Sequence, residues 1–311
     1  MARMTVQNTL RSAVTFQGDG LHSGRAVRMV VRPASADYGI WFRRVDLTTG
    51  DPMVPARWNA VVASKLCTLV ANDQGTQVST IEHLMAALAG CGIHNALVEI
   101  DGPEVPILDG SSVPFVAGFL RAGLRSQAAP VRAIRILQPV EVREGEALAR
   151  LEPSEMLEIA FRIDFTDTAI GVQEKRLNMA NGTFVRELCD SRTFCREADV
   201  VAMRANGLAL GGTYENAVVF DGDRVLSPGG LRHDDEPVRH KMLDALGDLA
   251  LAGGPILGRY TGLRAGHAMT NRLLRALFAR TDAFEMVDCG IPMGQKLPGV
   301  GVMRSDVPEH A

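Results

Sequence analysis

In the stretch Pro237 to Leu249, PVRHKMLDALGDL, His240, Asp244 and Asp248 recur at every fourth position. On an α-helix each such step turns the chain about 40° beyond a full circle, so the three side chains form one polar stripe. Met242, Leu243, Leu246 and Leu249 fall outside that stripe and are free to pack. A histidine and a carboxylate one turn apart can both reach a single divalent metal, and the same pair can equally be an ordinary contact on a solvated face. A catalytic zinc site commonly uses three protein ligands and keeps a further position open for water, so a third ligand must come from a distant segment.

His83 is the candidate for that third position. It follows Glu82 near the start of a helical pattern in STIEHLMAALAG, Ser79 to Gly90. Glu82 would then stand beside a ligand, able to act as base toward a water that the metal activates. Successive helical residues point about 100° apart, so both serve one site only if the end of the helix lies across it. The competing explanations are a Ser79-x-x-Glu82 capping box and a core histidine bonded to a backbone carbonyl. His267 follows Gly266 where another helix should begin. There it could donate a proton to a leaving group or steady an oxyanion, with Asp248 favouring its imidazolium form. The alternative is a polar residue at a helix start and a surface charge. Lys241 is expected to point away from the stripe, toward a substrate phosphate or toward solvent. Gly18-x-Gly20-x-x-x-Gly24 has the wrong spacing for a dinucleotide loop, and turn chemistry accounts for the nominal acid pair Glu104 and Asp109.

The elements that must hold these residues belong to a globular chain. Its 311 residues are 46% hydrophobic and 22% charged, long enough for two domains of ordinary size. A net charge of −3 argues against a nucleic-acid binder. The five cysteines, Cys67, Cys91, Cys189, Cys195 and Cys289, contain no C-x-x-C pair and hence no thiolate zinc knuckle. They are expected as buried thiols in a reducing compartment. The N-terminus lacks the apolar core of a signal peptide, and no apolar run is long enough to span a bilayer. A cytoplasmic protein is the expectation, with a monomer as the default.

Alternation at Val27 to Arg32 predicts a strand, and further strands are predicted at Ile40 to Arg44 and Val61 to Val70. A helix from Thr80 to Ala89, a strand from Ala96 to Ile100 and a helix from Val113 to Ala122 follow. The hydrophobic pattern lapses at Arg125 to Pro130, RSQAAP, where a domain boundary is placed. Beyond it come predicted strands, a segment with a helical middle at 191–212, and the helix of the polar stripe, capped by Asp235 and started by Pro237. Strands at Ile256 to Thr261 and Ala283 to Val287 flank a helix from Ala268 to Arg280. The pattern is α+β: domains at 1–126 and 127–290, with a weakly ordered tail at 291–311.

GLHSG, STIEHLMAALAG, EVPILDGSSVPFV, SRTF, GGLRHDDEPVRHKMLDALGDL and GHAMTNRLLRAL occur in this order. Together they resemble the UDP-3-O-acyl-N-acetylglucosamine deacetylase family, the zinc amidases of lipid A synthesis, from Gly20 to Leu277. The resemblance implies two domains of similar topology, each a helix layer packed on a β-sheet, with the active site between them. It implies one catalytic zinc ion, other divalent metals left open, on His83, His240 and Asp244. Glu82 matches the general base, His267 the catalytic histidine, and Asp248 the carboxylate oriented toward it. Thr193 matches a hydroxyl near the scissile amide, Phe194 a substrate-contacting aromatic, and Lys241 a contact on the nucleotide-sugar side. An inserted β-α-β unit at about 191–220 would form an apolar passage for the acyl chain, with Val201 and Met203 on its wall. The implied reaction converts UDP-3-O-acyl-N-acetylglucosamine into UDP-3-O-acyl-glucosamine and acetate. Cys195, Arg196 and His233 depart from the family's usual residues and bear on acyl-chain preference rather than on the reaction. Two rivals stay in view: an amidohydrolase for another acylated substrate, and an idle sugar-nucleotide or fatty-acyl binding protein. Glu82 and His267, both intact, speak against the second.

Overall fold

A computed structural model describes residues 4–166 and 169–308. In Ala26–Pro33 the side chains of Val27, Met29 and Val31 are buried while Arg28 and Arg32 are exposed, the two-residue period of a half-buried strand. This strand lies in a five-stranded sheet, ordered Val14–Asp19, Ala26–Pro33, Ala96–Ile100, Ile40–Arg44, Met53–Pro55. Only Ile40–Arg44 and Ala96–Ile100 run parallel there. Helix α1 (Glu82–Gly90) is buried along nearly its whole length, and α2 (Val113–Ala122) packs on the Val14–Asp19 strand.

The later half is built on a seven-stranded sheet. Its main path runs Val140–Glu144, Ala147–Pro153, Ile256–Leu263, Arg132–Ile136, Phe284–Asp288, with Glu158–Asp164 joining Ile256–Leu263 to Val172–Asn178. Four helices follow in chain order: α3 (Thr183–Glu187), α4 (Glu197–Ala205), α5 (Glu236–Ala250) and α6 (His267–Phe278). Helix α5 packs on Glu158–Asp164 and α6 on Val140–Glu144. Between α3 and α5 in sequence, Phe194–Arg196 and Val218–Asp221 run parallel, connected through α4. The fold is α+β, and one hydrophobic core extends from residues of the first sheet to residues of the second. No helix among the described residues is long and apolar enough to cross a membrane.

The contact that positions the site is α1 against α5. Gly247 makes it possible: a Cβ there would lie 2.0 Å from the carbonyl oxygen of Glu82 and 3.1 Å from the amide of Ala86. Both are backbone atoms, so no rotamer change relieves the clash. Gly247→Ala is expected to destabilise the protein by about 1–3 kcal/mol through overpacking, read as a lower urea midpoint. An unchanged midpoint would mean that the helices can part freely.

Three expectations are corrected. The segment Val61 to Val70 is two short strands, Val61–Val62 and Leu69–Ala71, and the intervening loop carries Thr68 to the site. The lapse of hydrophobic pattern at RSQAAP is not a break in secondary structure; it is part of a strand, Leu124–Pro130, antiparallel to Val6–Leu10. A two-stranded ribbon covers little apolar surface, so Arg125 and Ser126 stay exposed and no hydrophobic alternation appears. The segment after 290 is not weakly ordered over its described length; residues 309–311 lie outside the described residues. It forms α7 (Ile291–Gly294), buries Leu297, and sends Arg304 to donate to the carbonyls of Leu120 (2.8 Å) and Arg121 (2.5 Å). That arginine satisfies orphan carbonyls at the C-terminal end of α2.

Candidate metal-dependent active site

The α1–α5 crossing sets Glu82 and His83 opposite Asp244 and Asp248. The Nε2 atoms of His83 and His240 lie 3.6 and 3.3 Å from Oδ1 of Asp244. Ligand atoms of the three residues all fall within 4.8 Å of one another, and all three residues are buried. Among the described residues, Asp244 Oδ1 is buried without a hydrogen-bond partner. A buried carboxylate oxygen left unsatisfied is costly, and a cation there removes the cost. Donors about 2.0–2.1 Å from a tetrahedral zinc stand roughly 3.3 Å apart, which the Asp244 separations match. Two imidazole nitrogens and a carboxylate oxygen are also the donor set zinc prefers. The residues fit the metal.

The groups around the triad fix its protonation. Nδ1–H of His240 donates to the carbonyl of Ser191 at 3.0 Å, which leaves Nε2 facing Asp244. Burial pushes His240 down to about 3, so the ring is neutral and able to ligate. Burial pushes the Asp244 carboxyl up, but the neighbouring His240 ring and the Lys241 ammonium outweigh it and hold it well below the usual range. Lys241 does not point away as expected. Its Nζ donates to Asp244 Oδ2 at 2.7 Å, because residues three apart on a helix are neighbours.

The acid–base groups form a second chain beside the triad. Oε2 of Glu82 accepts from the Thr68 amide at 3.0 Å, and Oε1 lies 3.7 Å from Nε2 of His267. His267 donates through Nδ1–H to Asp248 Oδ2 at 2.8 Å, and Thr68 Oγ1 donates to Asp248 Oδ1 at 2.5 Å. The capping box is absent: Ser79 Oγ turns to the carbonyl of Pro103, and Ile81 occupies the N-cap position. Asp248 is likewise a buried partner rather than a surface charge. Burial raises the Glu82 carboxyl above its ordinary value. Burial pulls His267 down, but the charges of Asp248 and Glu82 prevail and lift it to about 9. They do so against the dipole of α6, whose first residue is His267.

His267 is raised above its ordinary 6.5, so its stabilising contribution is full below about 6.5 and is lost as pH rises through about 9. Thermal stability of the metal-free protein is expected to fall across that window, and Asp248→Asn should flatten the fall. A melting temperature that does not change between pH 6.5 and 9 would contradict the pairing.

These groups stand at one side of a cavity of about 630 Å³, lined by Thr193, Phe194, Met203, His240, Lys241, Asp244 and His267 among others. Thr193 is pinned through its backbone: its N–H donates to Gly110 at 2.8 Å and its carbonyl accepts from Val218 at 2.8 Å. The Phe194 ring stands edge-on to His240, with centroids 6.3 Å apart, and packs on Phe165 and Phe220. Met203 lies on the cavity wall with Val200, three residues earlier on α4. Val201 does not; it is 73% exposed, about 100° around the helix from Val200, and faces outward.

Two cavity and network residues were not singled out. His22 lines the cavity with Nε2 buried and without a hydrogen bond among the described residues. Its turn is held by the buried carboxylate of Glu104, which accepts from the amides of His22 and Ser23 at 2.8 Å each. The signal was present in GLHSG, where spacing argued only against a dinucleotide loop. Thr68, which joins Glu82 to Asp248, has no sequence signal at all.

Residues 7–279 match the family described as UDP-3-O-acyl N-acetylglycosamine deacetylase. A Phenylobacterium zucineum (strain HLK1) protein named UDP-3-O-acyl-N-acetylglucosamine deacetylase is 52% identical over 280 residues, 90% of this chain and 96% of that one. One of the same name from Shewanella baltica (strain OS155 / ATCC BAA-1091) is 44% identical over 305 residues, 96% of this chain and 99% of that one. With the match extending over most of the chain and across every residue of the triad, the protein belongs to the UDP-3-O-acyl N-acetylglycosamine deacetylase family.

Proposed function

We infer that the chain hydrolyses the N-acetyl group of UDP-3-O-acyl-N-acetylglucosamine, releasing acetate, at a single zinc ion on His83, His240 and Asp244. The observation that carries the site assignment is Oδ1 of Asp244, without a hydrogen-bond partner among the described residues and buried between two imidazoles beside the cavity. Residues 1–126 and 127–290 act as two domains, the first supplying Glu82 and His83, the second His240, Asp244 and His267. When bound, zinc supplies a Lewis acid that polarises the amide carbonyl and acidifies water.

The chain's own groups handle the protons. Glu82, one oxygen anchored by the Thr68 amide, takes a proton from the attacking water through the other. His267 enters as imidazolium, held so by Asp248, and with the Thr193 hydroxyl steadies the oxyanion of the tetrahedral intermediate. The amine leaves with a proton from His267 or from Glu82, which by then carries the water's proton. Lys241 offsets the charge of Asp244 and presents its ammonium toward the nucleotide sugar. Phe194 and Met203 line the side of the cavity that takes the acyl chain.

The test is acetate release from UDP-3-O-acyl-GlcNAc, with metal content measured on the same sample. Chelation should abolish turnover and zinc should restore it. Faster turnover of simple acetamido sugars would point to a different acylated substrate. Stoichiometric zinc without acetate release would point to an idle binding protein.

A further inference from the structure

We propose that Glu236 is a positioning residue for the metal site, acting on His240 through one clamped peptide group. The proposal rests on His240 being a metal ligand, as inferred above. Glu236 is fully buried in the first turn of α5, four residues before His240, so the two side chains lie one above the other on the helix. Its Oε1 accepts the backbone N–H of Arg192 at 2.9 Å. His240 donates Nδ1–H to the carbonyl of Ser191 at 3.0 Å. That carbonyl and that N–H are the two ends of the same peptide bond. The bond is planar and trans, so fixing the N–H fixes the direction of the C=O. Helix α5 therefore grips the 191–192 peptide between Glu236 and His240, and the grip sets the rotation of the imidazole.

The remaining contacts of Glu236 reinforce that function. Arg192 also donates through Nε at 2.9 Å and Nη2 at 3.2 Å, and the Arg232 amide donates to Oε2 at 2.8 Å. The Ser191 hydroxyl, buried and without a partner among the described residues, adds nothing to the grip. A buried ion pair is a weak source of net stability, because desolvation offsets its attraction. Geometric control of a ligand is the stronger explanation for burying this one. Residues that orient a metal-bound histidine typically change metal affinity by about 10–100-fold when removed.

The test compares the zinc-loaded parent with Glu236→Ala, Glu236→Gln and Arg192→Lys. Zinc affinity is measured by chelator competition well below each melting temperature, and the visible absorption of the cobalt-substituted proteins is recorded. Glu236→Ala should weaken zinc binding by about 10-fold or more and shift the cobalt bands. Glu236→Gln, which keeps an acceptor for the peptide N–H, should recover part of both. Arg192→Lys, which keeps that N–H, should lower the melting temperature with little change in affinity. Parental affinity and cobalt spectrum in both Glu236 variants, with only a lower melting temperature, would overturn the proposal. If Glu236→Ala does not fold, Glu236→Gln decides by the same two readouts. His240→Ala separates the two levels: unchanged zinc affinity there would sink the metal-site reading itself.

Discussion

Replacing Glu82 by alanine is expected to lower kcat by about 10²-fold or more while the zinc content stays at the parental level. The carboxylate is buried, and its nearest partners are the Thr68 amide and the His267 ring, not the ligand cluster. It is therefore placed to move a proton rather than to hold a cation. Glu82→Gln, which keeps the Thr68 contact but cannot accept a proton, should lose nearly as much activity with less disturbance of the fold. The acid limb of the pH–rate profile carries the same information. Burial raises the Glu82 carboxyl above its ordinary value in the metal-free protein, and a dication on the triad opposes that rise. The rate should fall with decreasing pH as Glu82 takes up a proton, and the fall should be absent from Glu82→Gln. Loss of metal from either variant would reassign Glu82 as a ligand.

His267→Ala is expected to reduce kcat by about 10²–10⁴-fold, the range for a lost general acid, with KM far less affected. The mechanism needs the imidazolium, so activity should fall as pH rises through the His267 pKa. In the metal-free protein that value is lifted to about 9, against burial, by Asp248 and Glu82. A dication on the triad repels the imidazolium and draws the alkaline limb to lower pH. Asp248→Asn removes the leading favourable charge and should shift the limb further in the same direction. An alkaline limb unmoved by Asp248→Asn would assign that limb to another group.

The candidate site was legible in the chain for local reasons. A four-residue spacing on a helix determines that His240, Asp244 and Asp248 share a face, whatever surrounds the helix. The motif order added His83, Glu82 and His267, and the structure brings all six together. Helix α5 also extends over nearly the residues its periodicity indicated, but Asp235 stands at the N-cap without a side-chain cap bond, its carboxylate taken by Lys175 and Arg239. Lys241 and Val201 were misplaced for one reason. Helical periodicity states angles about an axis, but the reach of a flexible lysine and the packed side of a short surface helix depend on what lies opposite.

From its amino acids alone this protein declares an α+β fold, a polar stripe able to hold a metal and the roles proposed for each acid–base residue, because residue type and helical period are local properties. Tertiary structure alone decided how those pieces meet. Gly247 lets two backbones approach closely enough to bring Glu82 and His83 over Asp244 and Asp248. A loop contributes Thr68, and a single peptide group is held between Glu236 and His240. The segment after 290 folds back because the end of α2 leaves carbonyls that Arg304 can satisfy. Each of these joins residues far apart in the chain, and such contacts are set by close packing and by the need to pair every buried polar group, neither of which has a period to read.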